Sequence, residues 1–402
     1  MTTAMDRDLS ARAGDLRPRV GIWIAGNSLW GGGGAERRFG RMAAHLCSRA
    51  SPWPVYLLMS SRMQRSFAEA GIAVPAAHVI LTDAEAAGPS ASAPSPRGIV
   101  GVARRALRES RQIRRLCQTH ELDVVHFLAA SYFEWPFLLR KPRNVAVAYS
   151  LVAHGYLTAY ERLSWKARVA LRLYLDRADA IDSLYSGFEK RFPRYADKTL
   201  VTPCSFTDYG RFSPAPVREN WVVFAGRLEI AKNPLLFLEA LERISAEMRA
   251  AGWQAFLLGG GGLQPEIEAF IRARNLGDLV TVERVVDTAP RLCRSGIYVS
   301  LQDGENYPSQ SLLEAMAAGN AVVATDVGDT RRLVGPESGL LVPAGRAAEL
   351  ASALLRLMGD PQMRAAMGAQ ARSFVVGRHS VERAANHLLA VWAKAHARRR
   401  SR

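Results

Sequence analysis

The run of residues 303–328 constrains the fold of this chain more than any other segment. A short, apolar and β-rich stretch at 297–301 leads into it, and Asp303-Gly304 ends that strand. Apolar residues then recur at helical spacing over 312–317, and a second buried strand follows at 321–325. The pattern predicts strand, loop, helix and strand in a parallel α/β sheet. Because open sheets of this kind bind ligands beyond the carboxyl ends of their strands, the loop is the first candidate for a site.

The chemistry of this loop favours a phosphate and a sugar. Ser309, Gln310 and Ser311 form the first turn of the predicted helix, where free backbone N–H groups and the positive end of the helix dipole attract anions. Glu305 precedes the helix, and Glu314 lies within it. A carboxylate accepts two hydrogen bonds side by side, which suits a vicinal diol such as a ribose.

The same segment resembles the donor-site motif of the retaining GT-B glycosyltransferases of family 4, in which Glu-x7-Glu is followed by Ala-Met-Ala-x-Gly and then Val-Val-Ala-Thr-Asp. Glu314 matches the second glutamate. At the place of the first stands Asn306, with Glu305 one position earlier, so both side chains are candidates for that role. The resemblance implies that Glu314 holds the ribose of a nucleotide sugar. It also implies that Glu305, as a catalytic group, or Asn306 contacts the sugar hydroxyls.

A second motif opens the second half of the chain. The predicted strand that begins at residue 221 is followed by Gly226, Arg227 and, five residues later, Lys232. Two cations at this spacing can clamp a diphosphate from one side. The run resembles the family's Gly-Arg-Leu…Lys-Gly motif, with Asn233 in place of the last glycine. The resemblance implies that Gly226, Arg227 and Lys232 bind the donor and that the two cations neutralise the leaving diphosphate.

The first half of the chain carries fewer motifs. A strand at 20–25 runs into the glycines Gly32, Gly33 and Gly34, which let the backbone approach a bound group closely. This turn lacks the Gly-x-Gly-x-x-Gly pattern of dinucleotide-binding proteins. It resembles the family's Gly-Gly-x-Glu turn, which implies contact with the acceptor and the donor diphosphate. His154 is the nearest match to the family's histidine beside the reactive carbon of the sugar, and is a catalytic candidate on that ground. His126, at another strand end, is predicted to be structural.

The resemblance implies an α/β protein of GT-B fold, with two Rossmann-like domains facing across a cleft and a C-terminal helix that crosses back to the first domain. We expect a disordered tail at 1–17 and an acceptor-binding domain at 18–207. A linker at 208–219 then leads to a nucleotide-sugar-binding domain at 220–377. The crossing helix and a basic tail occupy 378–402.

The net charge of +16 and the pI near 10.2 allow two interpretations. They suit an anionic partner (a membrane surface, a nucleic acid or a phosphorylated substrate) and equally a chain that is merely soluble and arginine-rich. Four arginines at helical spacing predict one basic helix face, either solvated or turned to lipid headgroups: Arg104, Arg108, Arg111 and Arg115. A helix at 163–177 mixes Trp165 and Val169 with basic residues, and we expect its apolar side to pack in the core. No nucleic-acid partner is expected.

Other features bear on the compartment and on cofactors. The four cysteines lie far apart without a Cys-x-x-Cys pair, which fits a reducing cytoplasm. No apolar run is long enough to span a bilayer, and residues 1–17 do not resemble a signal peptide. We therefore expect a cytoplasmic protein, peripheral on the inner face of the membrane if its basic surface binds lipid. The one Asp-x-Asp, Asp6-Arg7-Asp8, precedes the first strand, so neither a metal nor a cofactor is expected.

The sequence thus predicts a glycosyltransferase that moves a sugar from a UDP- or GDP-linked donor to a lipid-linked or saccharide hydroxyl. The transfer is expected to proceed with retention and without a metal, in bacterial envelope, extracellular polysaccharide or glycolipid synthesis. The alternative is a catalytically impaired basic scaffold of the same fold that binds a membrane or a nucleic acid. The displaced first glutamate keeps this alternative open.

Overall fold

The computed structural model describes residues 17–24, 34–48, 53–82, 98–128, 133–151, 160, 163–285, 287–305 and 307–401. The chain divides into two compact units, one of residues 1–203 with 384–402 and one of residues 204–383. Each unit is an α/β structure built on one parallel sheet, as the sequence predicts.

Over the described residues, the sheet of the first unit has seven parallel strands in the order β3-β2-β1-β4-β5-β6-β7. The strands are β1 (Val20–Trp23), β2 (Val55–Met59), β3 (Val79–Leu81), β4 (Val124–Phe127), β5 (Ala146–Leu151), β6 (Ala180–Ser183) and β7 (Thr199–Val201). The helices between them are α1 (Gly34–Ser48), α2 (Ser61–Glu69), α3 (Gly98–Thr119), α4 (Trp135–Leu139), α5 (Trp165–Arg177) and α6 (Phe188–Arg191). β1, β4 and β5 are buried along their whole length and are mainly apolar, with His126 in β4 and Ser150 in β5 as polar exceptions.

The sheet of the second unit has six parallel strands in the order β10-β9-β8-β11-β12-β13. They are β8 (Glu219–Ala225), β9 (Gln254–Leu258), β10 (Val280–Glu283), β11 (Ser295–Ser300), β12 (Ala321–Thr325) and β13 (Gly339–Val342). The helices are α7 (Pro234–Arg243), α8 (Ser245–Ala250), α9 (Gln264–Ala273), α10 (Ala289–Leu292), α11 (Gln310–Ala317), α12 (Ala347–Gly359) and α13 (Pro361–Arg378), followed by α14 (Val381–Arg400). The strand, loop, helix and strand predicted around residues 303–328 are β11, α11 and β12.

Both sheets reverse their strand order beside the first strand of the unit. β1 lies between β2 and β4, and β8 lies between β9 and β11. Such a reversal leaves a crevice beyond the carboxyl ends of the two central strands, where doubly wound proteins bind their ligands. In the second unit this crevice lies at the ends of β8 and β11, and the two motifs found in the sequence follow these same strands.

Apolar layers on both faces fix β8 in the second unit. Val222 and Phe224 pack into one buried cluster, and Val223 and Ala225 into another. The alternation follows from strand geometry, in which successive side chains point to opposite faces of the sheet. The carboxyl end of β8 is therefore held from both sides, and it presents Gly226 at a defined position.

Buried hydrogen bonds hold α14 in the first unit, to which the chain returns at residue 384. Nε1 of Trp392 donates to Nδ1 of His126 over 3.0 Å, and Nε2 of His387 lies 2.8 Å from a carboxylate oxygen of Asp182. Burial lowers the pKa of His126 to about 4, so the ring is neutral near pH 7 and accepts this hydrogen bond. Burial by itself raises the pKa of Asp182, but hydrogen bonds, first among them that from His387, hold it below its usual range. The prediction that His126 is structural is confirmed.

The segment 208–218, between the two sheets in sequence, packs within the second unit. Phe212 is buried, and the backbone N–H of Ala215 donates to the carbonyl oxygen of Cys293 over 2.8 Å. Arg218 donates to the carbonyl oxygens of Ala318 and Gly319. The segment therefore has fixed contacts with one unit along its length.

Two helices of the first unit expose basic and apolar residues together. All four arginines of the predicted basic face of α3 are exposed, which confirms that face. Leu107, which lies in sequence between Arg104 and Arg108, is 48% exposed. On α5 the expected core packing is only partly right, because Trp165 is 66% and Val169 is 46% exposed. The buried face of α5 is instead formed by Ala170, Leu171, Tyr174 and Leu175. None of the described helices combines the length and the apolar composition that crossing a bilayer requires.

Candidate active site

The carboxyl ends of three strands of the second unit are joined by side-chain hydrogen bonds. Nζ of Lys232, in the turn after β8, donates to Oε1 of Gln302, just beyond β11, over 3.0 Å. The backbone N–H of Gln302 donates to Oγ1 of Thr325 at the end of β12 over 2.9 Å. Tyr298 on β11 donates to the carbonyl oxygen of Ala225 over 3.1 Å. These bonds place Lys232 at the reversal between β8 and β11.

The loop after β8 is held against the glycine turn after β9. The backbone N–H of Gly226 donates to the carbonyl oxygen of Leu258, and that of Leu228 to the carbonyl oxygen of Gly260. A Cβ on Gly259 would lie 1.9 Å from the carbonyl oxygen of Gly226, and one on Gly261 would lie 2.3 Å from that of Leu228. Both glycines are needed for this close approach, which sets the position of Arg227 between Gly226 and Leu228.

Arg227 and Lys232 form a pair of cations with different surroundings. The Arg227 side chain is 71% exposed and pairs with Glu229 at 2.9 Å. Lys232 is largely buried, and its burial, with a contribution from the charge of Arg227, lowers its pKa to about 8 while Glu229 opposes the change. Two neighbouring positive charges at a strand end can hold the oxygens of a diphosphate, which would replace Glu229 as the partner of Arg227.

Asn233 has a backbone reason to occupy the place of the family's glycine. Its φ is 49° and its ψ is 47°, the left-handed conformation that glycine adopts freely and asparagine tolerates better than most residues. Its side-chain amide donates to Asp303, so the turn after β8 is tied to the loop after β11 a second time. Asn233 therefore fits the left-handed turn and ties it to the loop after β11.

Glu305 positions the loop between β11 and α11. Its Oε1 accepts a hydrogen bond from the backbone N–H of Tyr307 over 2.7 Å, and its Oε2 accepts one from that of Asp329 over 2.8 Å. The turn after β12 approaches closely at Gly328, where a Cβ would lie 2.3 Å from Oε2. Arg332 stacks on the ring of Tyr307 at 4.0 Å and completes this cluster. The carboxylate thus fixes two loops to each other, and its catalytic role stays a prediction.

The first turn of α11 carries the remaining predicted donor-binding residues. Ser309 is the residue before the helix and is buried, and Ser311 hydrogen-bonds to Tyr298. Nε2 of Gln310 donates to Oε1 of Glu314 over 3.1 Å, and Glu314 is half-buried. Because Tyr298 also bonds to Ala225 at the end of β8, the start of α11 and the Gly226 loop are linked through one side chain. The structure therefore brings Glu314 and the glycine-cation motif to the same edge of the sheet.

Several predicted site residues have no described position. Asn306, His154, Gly32 and Gly33 lie outside the described residues, and Gly34 is known only as the first residue of α1. The choice between Glu305 and Asn306 for the first motif position, and the catalytic assignment of His154, remain predictions. Among the residues that the structure describes, no group of three or more His, Cys, Asp or Glu side chains is arranged to hold a metal ion.

Sequence reasoning missed two residues that organise this site. Gln302 is 8% exposed and receives the hydrogen bond from Lys232, and Tyr298 connects the ends of β8 and α11. A polar side chain directly after a buried strand of a parallel sheet was the available signal for Gln302. Tyr298 gave none, since a tyrosine within an apolar strand is equally at home in a core.

The two units and the helix that returns to the first of them make this a GT-B fold. The structure of Anabaena Alr3699/HepE in complex with UDP matches it with a TM-score of 0.69 at 18% sequence identity. The match covers 94% of this chain and 99% of that one. At this identity the likeness establishes the fold alone.

The sequence of the second unit is similar to known glycosyltransferases. Residues 219–360 match the family model described as Glycosyl transferases group 1, a range that runs from β8 to the end of α12 and includes the candidate site. The alpha-D-kanosaminyltransferase of Streptomyces kanamyceticus is 28% identical over 174 residues, 42% of this chain and 45% of that protein.

A second relative comes from Campylobacter jejuni, the GalNAc-alpha-(1->4)-GalNAc-alpha-(1->3)-diNAcBac-PP-undecaprenol alpha-1,4-N-acetyl-D-galactosaminyltransferase. It is 30% identical over 122 residues, which are 29% of this chain and 34% of that protein. The chain therefore matches less than half the length of either relative.

Proposed function

We propose that this protein transfers a sugar from a nucleotide-diphosphate sugar to a hydroxyl group. The observation that carries the proposal is the hydrogen bond from Lys232 to Gln302, which holds a largely buried cation at the reversal of the second sheet. Arg227 lies close enough to affect its pKa, and the start of α11 is linked to the same strand ends. A cation pair beside a helix N-terminus suits the diphosphate of a donor.

Catalysis rests mainly on stabilising the leaving group. As the bond to the sugar breaks, the anomeric carbon develops oxocarbenium character and negative charge grows on the departing diphosphate. Arg227, Lys232 and the N–H groups at Ser309–Ser311 are the groups of this site that favour that charge. Glu314 accepts hydrogen bonds from the ribose, and Glu305 or Asn306 contacts the sugar hydroxyls.

The donor we propose is UDP- or GDP-linked, and the transfer retains the configuration at the anomeric carbon. The resemblance to family 4 and the UDP complex of Alr3699/HepE support this choice. The names of both relatives describe alpha products, the configuration that retention gives from an α-linked donor. Because Arg227 and Lys232 already supply positive charge to the diphosphate, we propose that the reaction needs no metal.

The acceptor we propose is a lipid-linked or saccharide hydroxyl in bacterial envelope, extracellular polysaccharide or glycolipid synthesis. The Campylobacter jejuni relative is named for a product carried on PP-undecaprenol. The exposed face of α3 combines arginines with Leu107, and α5 exposes Trp165 beside Lys166. Such surfaces suit an anionic membrane, and we propose a cytoplasmic protein peripheral on its inner face.

Donor turnover tests the proposal directly. The protein is incubated with UDP- and GDP-linked sugars in the presence of EDTA, and release of the nucleoside diphosphate is followed, with the double variant Arg227→Gln/Lys232→Gln as control. We expect slow hydrolysis of one donor by the wild-type chain, unaffected by EDTA and lost in the variant. Loss of turnover on chelation would contradict metal independence, and turnover that survives in the variant would contradict the assigned site.

One observation favours a second candidate, a scaffold without catalysis. Both carboxylate oxygens of Glu305 already accept backbone hydrogen bonds, so the nearest glutamate to the first motif position is engaged in holding loops. A scaffold of this kind releases no nucleoside diphosphate from any donor while still binding anionic vesicles or nucleic acid, which separates it from the enzyme.

A further inference from the structure

A groove of about 590 Å³ lies at the opposite edge of the second sheet from the candidate active site. Gly296 at the start of β11 and Gly319 just before β12 form part of its floor, so it lies at the amino ends of these strands. One face of α13 and the segment around Arg218 form its walls. All of these residues belong to the second unit, and the volume is within the range of small-molecule sites.

Three arginines enter this groove with fixed orientations. Arg218 donates to the carbonyl oxygen of Gly319 over 2.8 Å, and Arg372 to that of Phe212 over 2.8 Å. Arg364 donates from Nη1 to the carbonyl oxygen of Leu357 over 2.7 Å. Carbonyl oxygens orient a guanidinium without neutralising it.

The positive charge of the groove is not balanced at its own surface. No Asp or Glu is found among the described residues that line it, although the charge of Asp360, next to Pro361, acts on Arg364. Burial lowers the pKa of Arg218, and the nearby charge of Arg372 lowers it further. Concave surfaces with one sign of charge concentrate ions of the opposite sign. The groove therefore favours an anion.

The absence of side chains on the floor makes room for the guanidinium groups. A Cβ on Gly319 would lie 2.7 Å from Nη2 of Arg218, and one on Gly296 would lie 3.2 Å from Nε of Arg364. Gly319 has a φ of +72°, which by itself requires glycine, whereas Gly296 has no such backbone requirement. The glycine at 296 is thus explained by the position of Arg364.

The residues of α13 that line the groove between the arginines are small and, apart from Ser373, apolar. Ala365 and Ala369 lie on the exposed side of α13, and Val376, two turns beyond Ala369, is 43% exposed. Pro214 and Pro361 lie on the rim. An apolar wall beside three guanidinium groups suits an anion that carries an organic part rather than a bare inorganic ion.

We propose that this groove binds an organic phosphate at a site separate from the candidate active site. Arg218 uses both Nη atoms for backbone carbonyl oxygens, whereas Arg364 and Arg372 donate to them from Nη1. The other N–H groups of Arg364 and Arg372 point to two phosphate oxygens as partners, and the apolar wall of α13 contacts the organic part. The simpler explanation is that the arginines only cap the carbonyl ends of α11 and α12. Capping explains the hydrogen bonds to Gly319 and Leu357 but not the one from Arg372 to Phe212, and it does not bring three arginines into one groove whose described lining holds no carboxylate.

A carboxylate placed on the wall tests this proposal and leaves every arginine contact in place. Ala369→Glu adds a negative charge inside the groove, and Ala369→Gln adds the same volume without the charge. Ala366→Glu adds the charge on an exposed part of α13 that does not line the groove. Calorimetric titration of the full chain with phenyl phosphate, and separately with inorganic phosphate, measures the site.

We expect Ala369→Glu to weaken phenyl phosphate binding by about tenfold or more, the scale of one charge-assisted contact. Ala369→Gln, Ala366→Glu and the double variant Arg227→Gln/Lys232→Gln keep the wild-type affinity, and inorganic phosphate binds more weakly than phenyl phosphate. No saturable binding, equal affinity in Ala369→Glu and wild type, or loss in the Arg227→Gln/Lys232→Gln variant would overturn the proposal. UDP titration of the same variants shows independently whether the active-site assignment holds.

The phosphate has two sources that the same variants distinguish. Binding to phosphatidic acid vesicles that Ala369→Glu weakens and Ala366→Glu does not assigns the groove to a lipid headgroup. If Ala369→Glu weakens the binding of phenyl phosphate but does not change the binding to vesicles, the groove is assigned to a soluble organic phosphate. If Ala369→Glu and Ala366→Glu weaken the binding of phenyl phosphate or of the vesicles equally, the effect is one of general charge, and the proposed site is contradicted.

Discussion

The pKa of Lys232 depends strongly on the surroundings of its side chain. Its ammonium group is removed from water beside a second cation, and its pKa falls from 10.5 to about 8. The hydrogen bond to Gln302 keeps it in place. A lysine in this position changes its charge just above physiological pH, so nucleotide binding acquires a dependence on pH that an exposed lysine would not give.

We predict that UDP affinity falls as the pH rises through about 8, because the anion prefers the protonated lysine. Lys232→Arg, whose cation does not titrate in this range, is expected to bind UDP with little change between pH 7 and pH 9. Calorimetric titration at several pH values measures both. The same lysine affects stability. Its pKa is 10.5 in the unfolded chain and about 8 in the folded protein, so the unfolded chain binds the proton more tightly between these values. The free energy of unfolding is therefore expected to rise with pH between about 8 and 10.5. A flat profile in the wild type would contradict the role of Lys232.

Glu314 is the residue on which the ribose assignment depends. Glu314→Ala removes a charged acceptor from the start of α11, and we expect nucleotide affinity to fall roughly ten- to a hundredfold, or about 1.5–3 kcal/mol. Calorimetric titration with UDP and GDP measures the loss, and the melting temperature shows that the variant is folded. Glu349→Ala, an exposed glutamate on α12, is the control. A folded Glu314→Ala chain with wild-type affinity would remove the assignment.

At the scale of elements, the glycine turn after β9 supports the loop that carries Arg227. Gly261→Ala places a Cβ 2.3 Å from the carbonyl oxygen of Leu228, whereas nothing lies within 4 Å of a Cβ on Gly262. We expect Gly261→Ala to destabilise the protein by about 1–3 kcal/mol and to weaken UDP binding, because the backbone of the loop must move. Gly262→Ala is the matched control. Equal melting temperatures for the two variants would show that the loop is less constrained than described.

The strands could be predicted from the sequence because parallel sheets are buried on both faces and their strands occur as short apolar runs. The helices were harder. α5 has apolar residues on two sides, and periodicity does not tell which side meets the sheet. Trp165 and Val169 are exposed because the chain buries Leu171 and Tyr174 instead. That choice is made by the tertiary packing of the first unit.

The motifs of the candidate site could be predicted from the sequence, but the hydrogen bonds between them could not. The pair Arg227 and Lys232 is indicated by its spacing after a strand and a glycine, whereas Glu314 is singled out by its match to the family 4 motif. The hydrogen bond of Lys232 to Gln302 joins residues 70 positions apart and exists because β8 and β11 are neighbours in the sheet. Similarly, the direction of Glu305 depends on the turn after β12. Contacts of this kind are set by strand order, which single motifs do not contain.

At the scale of the whole molecule, the net charge of +16 bears on the proposed membrane association. We predict that the protein binds vesicles containing phosphatidylglycerol and that binding weakens as salt rises, since exposed charges are screened. Cosedimentation with vesicles of increasing phosphatidylglycerol content measures this. Substituting glutamine for four arginines of α3 is expected to abolish most of the binding: Arg104, Arg108, Arg111 and Arg115.

A control with the same change of net charge separates the α3 surface from the total charge of the chain. It replaces four exposed arginines of the second unit with glutamine: Arg243, Arg272, Arg346 and Arg356. If both variants lose binding equally, the association is a general charge effect and α3 is not a membrane surface. If neither loses it, the protein does not use these arginines at all.

The most direct test of the central claim is thermal melting of the full chain against UDP, GDP, ADP and NAD. A ligand at one hundred times its dissociation constant stabilises the folded state by about 2.7 kcal/mol, enough to raise the melting temperature measurably. We predict a rise with UDP or GDP that is lost in Arg227→Gln/Lys232→Gln and in Glu314→Ala. A rise with NAD alone, or none with any nucleotide, would contradict a nucleotide-sugar site in the second unit.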